Sequence, residues 1–210
     1  MSKLIPASLG VLGAGGAGAG GYFLAKSSGS ENVATPTFRV KYEKSLLNFE
    51  GSTDEKSWGA KFTSLKSGTK NHPDLKTASA TDDETTGKSL HKEACRKIYD
   101  SPSDNHDYFE DFKKYCSKLI EDVVDGTWIT DDSAASGSSN KWDGKLTNLK
   151  SNKSNLIHQK LKDLSNKLTG SSFDATNRKE LKDWCSTMKS QLFLGESENV
   201  IKEIKSYCAE

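Results

Sequence analysis

Two patterns of apolar residues divide the chain. Residues 4–25 carry no charged side chain and are bounded by Lys3 and Lys26. Beyond them apolar residues recur three or four positions apart. Trp58, Phe62 and Leu65 stand at i, i+4 and i+7, as do Trp142, Leu146 and Leu149, the spacing of one helix face. Phe109, Phe112, Cys116, Leu119, Ile120 and Val123 predict one long helix, with Gly126 placed to end it. Ile157, Leu161, Leu164 and Leu168 predict another, ended by Gly170. Leu181, Trp184, Cys185, Met188 and Leu192 predict a third, and Ile201, Ile204 and Cys208 a fourth. Ser52 and Glu55 have the spacing of a capping box before Trp58. No stretch alternates with period two, so the expected class is all-α.

The helical part repeats itself. Trp58-Gly-Ala-Lys61-Phe62-Thr63-Ser-Leu65-Lys66-Ser67 aligns with Trp142-Asp-Gly-Lys145-Leu146-Thr147-Asn-Leu149-Lys150-Ser151, identical at six of ten positions. Cys95 followed by Ile98 matches Cys185 followed by Met188. Phe112-Lys-Lys-Tyr115-Cys116 matches Ile204-Lys-Ser-Tyr207-Cys208. The offsets are 84, 90 and 92 residues, so the anchors keep their order with small insertions. The expected organisation is a stalk and lead-in at 27–51, a first helical repeat at 52–126, a linker at 127–139 and a second repeat at 140–210. Each repeat should hold about three helices. Asn71–Gly87 and the low-complexity Ser133–Asn140 read as exposed loops.

The uncharged run suits a membrane. Twenty-two residues at about 1.5 Å rise cross a hydrocarbon core of about 30 Å, where backbone groups must pair within a helix. Seven glycines lie in it. In water each would cost a helix about 1 kcal/mol. Gly16 and Gly20 form a GxxxG pair, a helix-packing surface through which two copies could dimerise, although small residues are also simply tolerated there. Residues 1–26 are therefore expected to be an uncleaved transmembrane signal anchor. Two other readings compete. A cleaved signal peptide fits the charged start, but Leu24-Ala25-Lys26 is a poor cleavage site. A dinucleotide loop fits Gly13-Ala-Gly-Gly-Ala-Gly18 with Glu31 downstream, but no βαβ pattern follows. No cysteine follows the run, which excludes lipoprotein-type acylation. The rest of the chain should lie on one side of the membrane. Lys26, Arg39, Lys41 and Lys44 against Lys3 weigh weakly for the cytoplasm.

The cysteines weigh the other way. Each repeat has two on an inward helix face, 21 apart for Cys95 and Cys116 and 23 apart for Cys185 and Cys208. Antiparallel neighbouring helices bring such pairs within bridging distance. Local pairing within each repeat is expected, at about 3 kcal/mol of stabilisation per bond. Buried free thiols and a metal site are the competing states. His91, four residues before Cys95, looks like a ligand partner, but the matching position is Leu181, and no CxxC is present. Disulfides place the body in an oxidising, extracytoplasmic compartment.

Composition narrows the rest. Leu, Ile, Val and Phe total 40 of 210 residues, and the net charge is +1. So lean a core needs staples, and so balanced a charge excludes a nucleic-acid or polybasic membrane-surface binder. The four histidines, His72, His91, His106 and His158, lie in no HExxH or other metal spacing, and no GxSxG, P-loop or calcium-loop pattern occurs. Asp82, Asp83, Glu84, Asp131 and Asp132 read as solvated loop charge. No catalytic residue, cofactor or metal is expected.

The Gly/Ala-rich span Met1–Lys26, the stretch from Leu46-Leu47-Asn48-Phe49 through Trp58-Gly59-Ala60-Lys61, the two cysteine pairs and 27 Lys against 3 Arg together resemble a known set of proteins. They are similar to the large paralogous families of uncharacterised membrane proteins of haemotropic mycoplasmas. The resemblance implies a surface-displayed, variable product used in host contact or immune evasion, with no assigned activity. The expected protein is thus a single-pass membrane protein displaying a non-catalytic, disulfide-stapled helical domain outside the cell, its partner a host or surface protein. The alternative is a cytoplasmic, membrane-tethered scaffold with free thiols.

Overall fold

The computed structural model describes residues 35–135, 140–170 and 172–210. Among them are ten α-helices and no strand longer than an isolated bridge. The signal anchor, Gly16, Gly20 and the Gly13–Gly18 reading lie outside the described residues. No helix among the described residues is long and apolar enough to cross a membrane.

In order, the helices are α1 (Phe38–Lys41), α2 (Glu55–Ser67), α3 (Pro73–Ala80), α4 (Glu84–Tyr99), α5 (His106–Asp111), α6 (Ile120–Val123), α7 (Lys141–Ser151), α8 (Gln159–Lys167), α9 (Ala175–Lys189) and α10 (Glu198–Cys208). Side chains short enough to fold back onto the backbone start several of them. Asp83 accepts from the Thr86 amide, Asn105 from Tyr108, Asn140 from Trp142 and Ser197 from Val200. Asp174 and Asn177 bond reciprocally at the start of α9.

Buried apolar residues form two clusters. One runs from Phe38 to Cys116 and contains Trp58, Phe62, Leu65, Leu75 and Ile98. The other runs from Ile120 to Ala209 and contains Trp142, Leu146, Leu149, Leu161, Leu164 and Leu181. Phe38 and Leu47 pack in the first, so the end of the expected lead-in is core. Ile129 packs in the second, so the expected linker also contributes.

Several expectations need correction. Each half has four principal helices, α2–α5 and α7–α10, rather than three. The missed helix is α3, which lies within the expected loop Asn71–Gly87. Its only inward apolar residues are Leu75 and Ala78, too few to show a period, and Pro73 reads as a breaker although it sits at N1, where no amide is needed. Gly87, the end of that expected loop, lies inside α4. A Cβ there would come within 2.7 Å of the Phe62 ring, so the residue permits α2 and α4 to approach. The capping box does not form: α2 begins at Glu55 behind Asp54, with no side-chain cap bond. The long helix expected through 109–123 is broken. α5 passes into a π-helical turn at Phe112–Cys116, the chain extends, and α6 begins at Ile120. Ile157 stands exposed ahead of α8 rather than in its buried face.

The seam between the clusters is polar and extended. Leu46 bridges to Ser117, and Leu119 to Leu192. Ile120 donates to the Gln191 carbonyl, and Phe193 to Lys118. Lys61, nearly buried, pairs with Asp122 at 3.0 Å, and Lys118 with Asp54 at 2.9 Å.

Candidate functional site

The four cysteines form the two expected bonds, Cys95–Cys116 and Cys185–Cys208, with Cα separations of 5.3 and 5.4 Å. All four are buried. The first bond ties α4 to the π-turn after α5. The second ties α9 to the end of α10.

Around each bond the same contacts recur. The Trp58 indole donates to the Asn48 carbonyl at 2.7 Å, and the Trp142 indole to Asp131 at 2.9 Å. The Lys66 ammonium bonds the Thr81 carbonyl after α3, and Lys150 the Thr169 and Gly170 carbonyls after α8. Lys118 donates through its backbone to Ser45, and Glu210 to Thr127. Two buried carboxylates complete the correspondence. Asp111 accepts the Asn71 and His72 amides, the His72 bond at 2.6 Å, at the start of α3. Glu203 accepts the Ile157 and His158 amides, and the His158 ring, at the start of α8. Each satisfies backbone donors at the start of a helix that have no partner within the helix.

Asp111 and Glu203 went unread in the sequence, yet a signal exists. Each lies five residues before a cysteine, in Asp111-Phe-Lys-Lys-Tyr-Cys116 and Glu203-Ile-Lys-Ser-Tyr-Cys208. The helices they cap also share His72-Pro-Asp-Leu75-Lys and His158-Gln-Lys-Leu161-Lys. The other loop carboxylates have local duties. Asp83 caps α4, Asp131 accepts the Lys141 amide, and Asp132 accepts the Ala134 amide. Asn140, expected in an exposed loop, is buried and its amide group donates to Asp132 and Ala135.

The halves differ around their disulfides. In the second, the Ile129 amide donates directly to the Cys208 carbonyl. In the first, the Tyr99 hydroxyl is interposed, accepting from Leu47 and donating to Cys116, and burial raises its pKa. His91 is also peculiar to the first half. Its Nε2–H donates to the Tyr115 carbonyl at 2.9 Å, and its ring meets Trp58 edge-on. A ring nitrogen of His91 and the sulfurs of Cys95 and Cys116 lie within 4.8 Å of one another. The matching Leu181 offers no ring nitrogen in the second half.

Burial pushes the His91 pKa down to about 4. The unfolded chain therefore takes up a proton near pH 6.5 that the folded chain refuses. Stability falls as pH drops from 6.5 towards 4 and levels below, by about 3 kcal/mol in total. Urea midpoints at pH 7 and pH 4 should differ less for His91→Leu than for the wild type; equal differences would refute this.

Two of the surface concavities carry charged linings. A pocket of about 340 Å³ is lined by Arg39, Arg96, Phe49 and Tyr99, which places two of the three arginines of the chain together. Arg39 is held by Asp100 at 2.7 Å, while Arg96 stacks on Phe49 at 4.4 Å. A cleft of about 590 Å³ at the seam is lined by Lys61, Lys113, Lys114, Tyr115, Glu121 and Asp122. Both mix acid and base and suit a polar protein surface better than an apolar small molecule. No known protein family, curated protein or solved structure matches this chain.

Proposed function

We propose that the chain is a single-pass membrane protein that displays a duplicated helical body outside the cell for surface contact or antigen display, without catalysis. The observation that carries this is the pair of buried disulfides, one in each apolar cluster, with no free cysteine among the four. Such bonds persist in oxidising compartments. Duplication is supported by anchors whose offsets grow steadily along the chain, 82 residues at Ser45 and Thr127, 84 at the tryptophans, 86 at the histidines before α3 and α8, 90 and 92 at the cysteines. Insertions between helices produce such a ladder, and each anchor keeps its contact. The uncharged run 4–25 supplies the anchor, and the resemblance to the mycoplasma surface families fits the same role.

Protease added to intact cells should release peptides from residues 35–210. Full protection of those peptides until lysis would place the body in the cytoplasm and reject display.

A further inference from the structure

We propose that the first half carries a binding site for a carboxylate-rich peptide segment of a partner protein, built from Arg39 and Arg96 on an aromatic floor. The stack is continuous. The Arg39 guanidinium lies 5.5 Å from the Tyr99 ring centre, Tyr99 lies 5.5 Å from Phe49, and Phe49 lies 4.4 Å from the Arg96 guanidinium. α1 supplies Arg39, α4 supplies Arg96 and Tyr99 one turn apart, and the segment between α1 and α2 supplies Phe49. All four line the pocket of about 340 Å³. Stacking fixes the plane of each guanidinium, so little freedom is lost when its fork meets a carboxylate. Asp100 takes only the Arg39 Nε. Among the described residues, the terminal nitrogens of Arg39 and all those of Arg96 make no hydrogen bond, and Glu93 stands 3.6 Å from the Arg96 Nε, beyond bonding distance. The third arginine, Arg178, grips Asp143 with two bonds. In a chain of 27 lysines, arginine thus stands where a planar fork does what an ammonium cannot. The guanidinia sit on different rings, and a segment bearing several carboxylates engages both at once. Leu46 and the ring faces receive the methylenes of its glutamates.

The second half replaces these residues. Hydrogen bonds set the halves in register: Phe38 donates to Ser101 and Ser103 to Pro36, as Ile120 donates to Gln191 and Phe193 to Lys118. Positions in α1 and the segment after it therefore correspond 82 residues on, and positions around the end of α4 correspond 90 residues on. In that register Arg39 becomes Glu121, Arg96 becomes Ser186, Tyr99 becomes Lys189 and Leu46 becomes Trp128. Glu121 and Lys189 pair at 3.4 Å, and the Lys189 ammonium lies over the Trp128 ring. Both guanidinia are gone, and an indole stands where the pocket has Leu46. The site is particular to the first half and does not depend on which side of a membrane the body resides. Its lining includes one acid, the exposed Glu50, which opposes an anionic ligand.

The test titrates an unlabelled hexaglutamate peptide into the purified, oxidised full chain and follows binding by calorimetry. One peptide should bind per chain, with an affinity that falls as salt is raised. Arg39→Ala and Arg96→Ala should each weaken binding about tenfold, the loss of one charge-assisted fork. Arg96→Lys, which keeps the charge and loses the plane, should weaken it nearly as much. Leu46→Trp installs the indole of Trp128 without changing charge and should weaken binding to a similar extent. Glu50→Gln should tighten it, and Lys153→Ala, at an exposed lysine of the second half, should leave it unchanged. No saturable binding up to about 1 mM peptide, full retention in Arg96→Ala or Leu46→Trp, or an equal loss in Lys153→Ala would each overturn the proposal. Displacement of the peptide by an equal concentration of inorganic phosphate would assign the pocket to a free oxyanion and overturn it as well.

Discussion

Trp142→Ala lowers the unfolding free energy by about 3–5 kcal/mol, the range for deleting a buried indole. Trp142 is fully buried in the second cluster beside Leu146 and Leu149. Its indole N–H ties α7 to the segment before it through the Asp131 carbonyl. The effect should come mainly from the cavity. Asp131 keeps a second donor, the Lys182 ammonium at 3.0 Å, so its carbonyl is not orphaned when the indole goes. Trp142→Phe, which keeps one aromatic ring and loses the rest of the indole with its bond, should therefore cost less, about 1–2 kcal/mol. Urea unfolding followed by far-ultraviolet circular dichroism separates the two. A loss below 1 kcal/mol for the alanine variant, or equal losses for both variants, would contradict this packing.

Removing the disulfides has the second large effect. Cys95→Ser with Cys116→Ser, and Cys185→Ser with Cys208→Ser, should each cost about 3 kcal/mol, because each bond closes a loop of 21 or 23 residues in the unfolded chain. Serine in place of a buried sulfur adds a polar group with no partner, so these are lower bounds. With both bonds gone the loss approaches about 6 kcal/mol, comparable with the whole stability of an ordinary domain. The quadruple serine variant should be partly unfolded at 37 °C, with lowered helical ellipticity and rapid proteolysis. A melting midpoint unchanged by the four substitutions would show that packing alone suffices.

Periodicity revealed the helices that bury one continuous face. α7, α9 and α10 follow the apolar spacing closely, since Trp142, Leu146 and Leu149, or Leu181, Trp184 and Cys185, meet the core directly. The cysteine pairing followed from the same faces, because two inward cysteines on consecutive helices have no nearer partner. What periodicity concealed were elements held by polar contacts. α3 contributes two buried apolar residues and is fixed at its start by the Asp111 carboxylate, a residue of α5 that the sequence places 39 positions beyond His72. A bond of that reach leaves no local trace. The break at Ser117–Leu119 is likewise tertiary: the extended segment is held by Leu46, Gln191 and Leu192 across the seam. Its apolar residues kept helical spacing because they serve two clusters in turn, Cys116 the first and Ile120 the second. At the candidate site, His91 next to Cys95 was legible as a pair and Cys116 joined them through the expected disulfide, while the π-turn that carries Cys116 was not legible.

In the proposed role the body is held oxidised, one bond per half, outside the reducing cytoplasm. The most direct test is non-reducing peptide mapping of the protein from cells quenched with a membrane-permeant alkylating agent. The expected products are two linked peptide pairs, Cys95 with Cys116 and Cys185 with Cys208, and no alkylated cysteine. Four alkylated thiols, obtained without prior reduction, would contradict it.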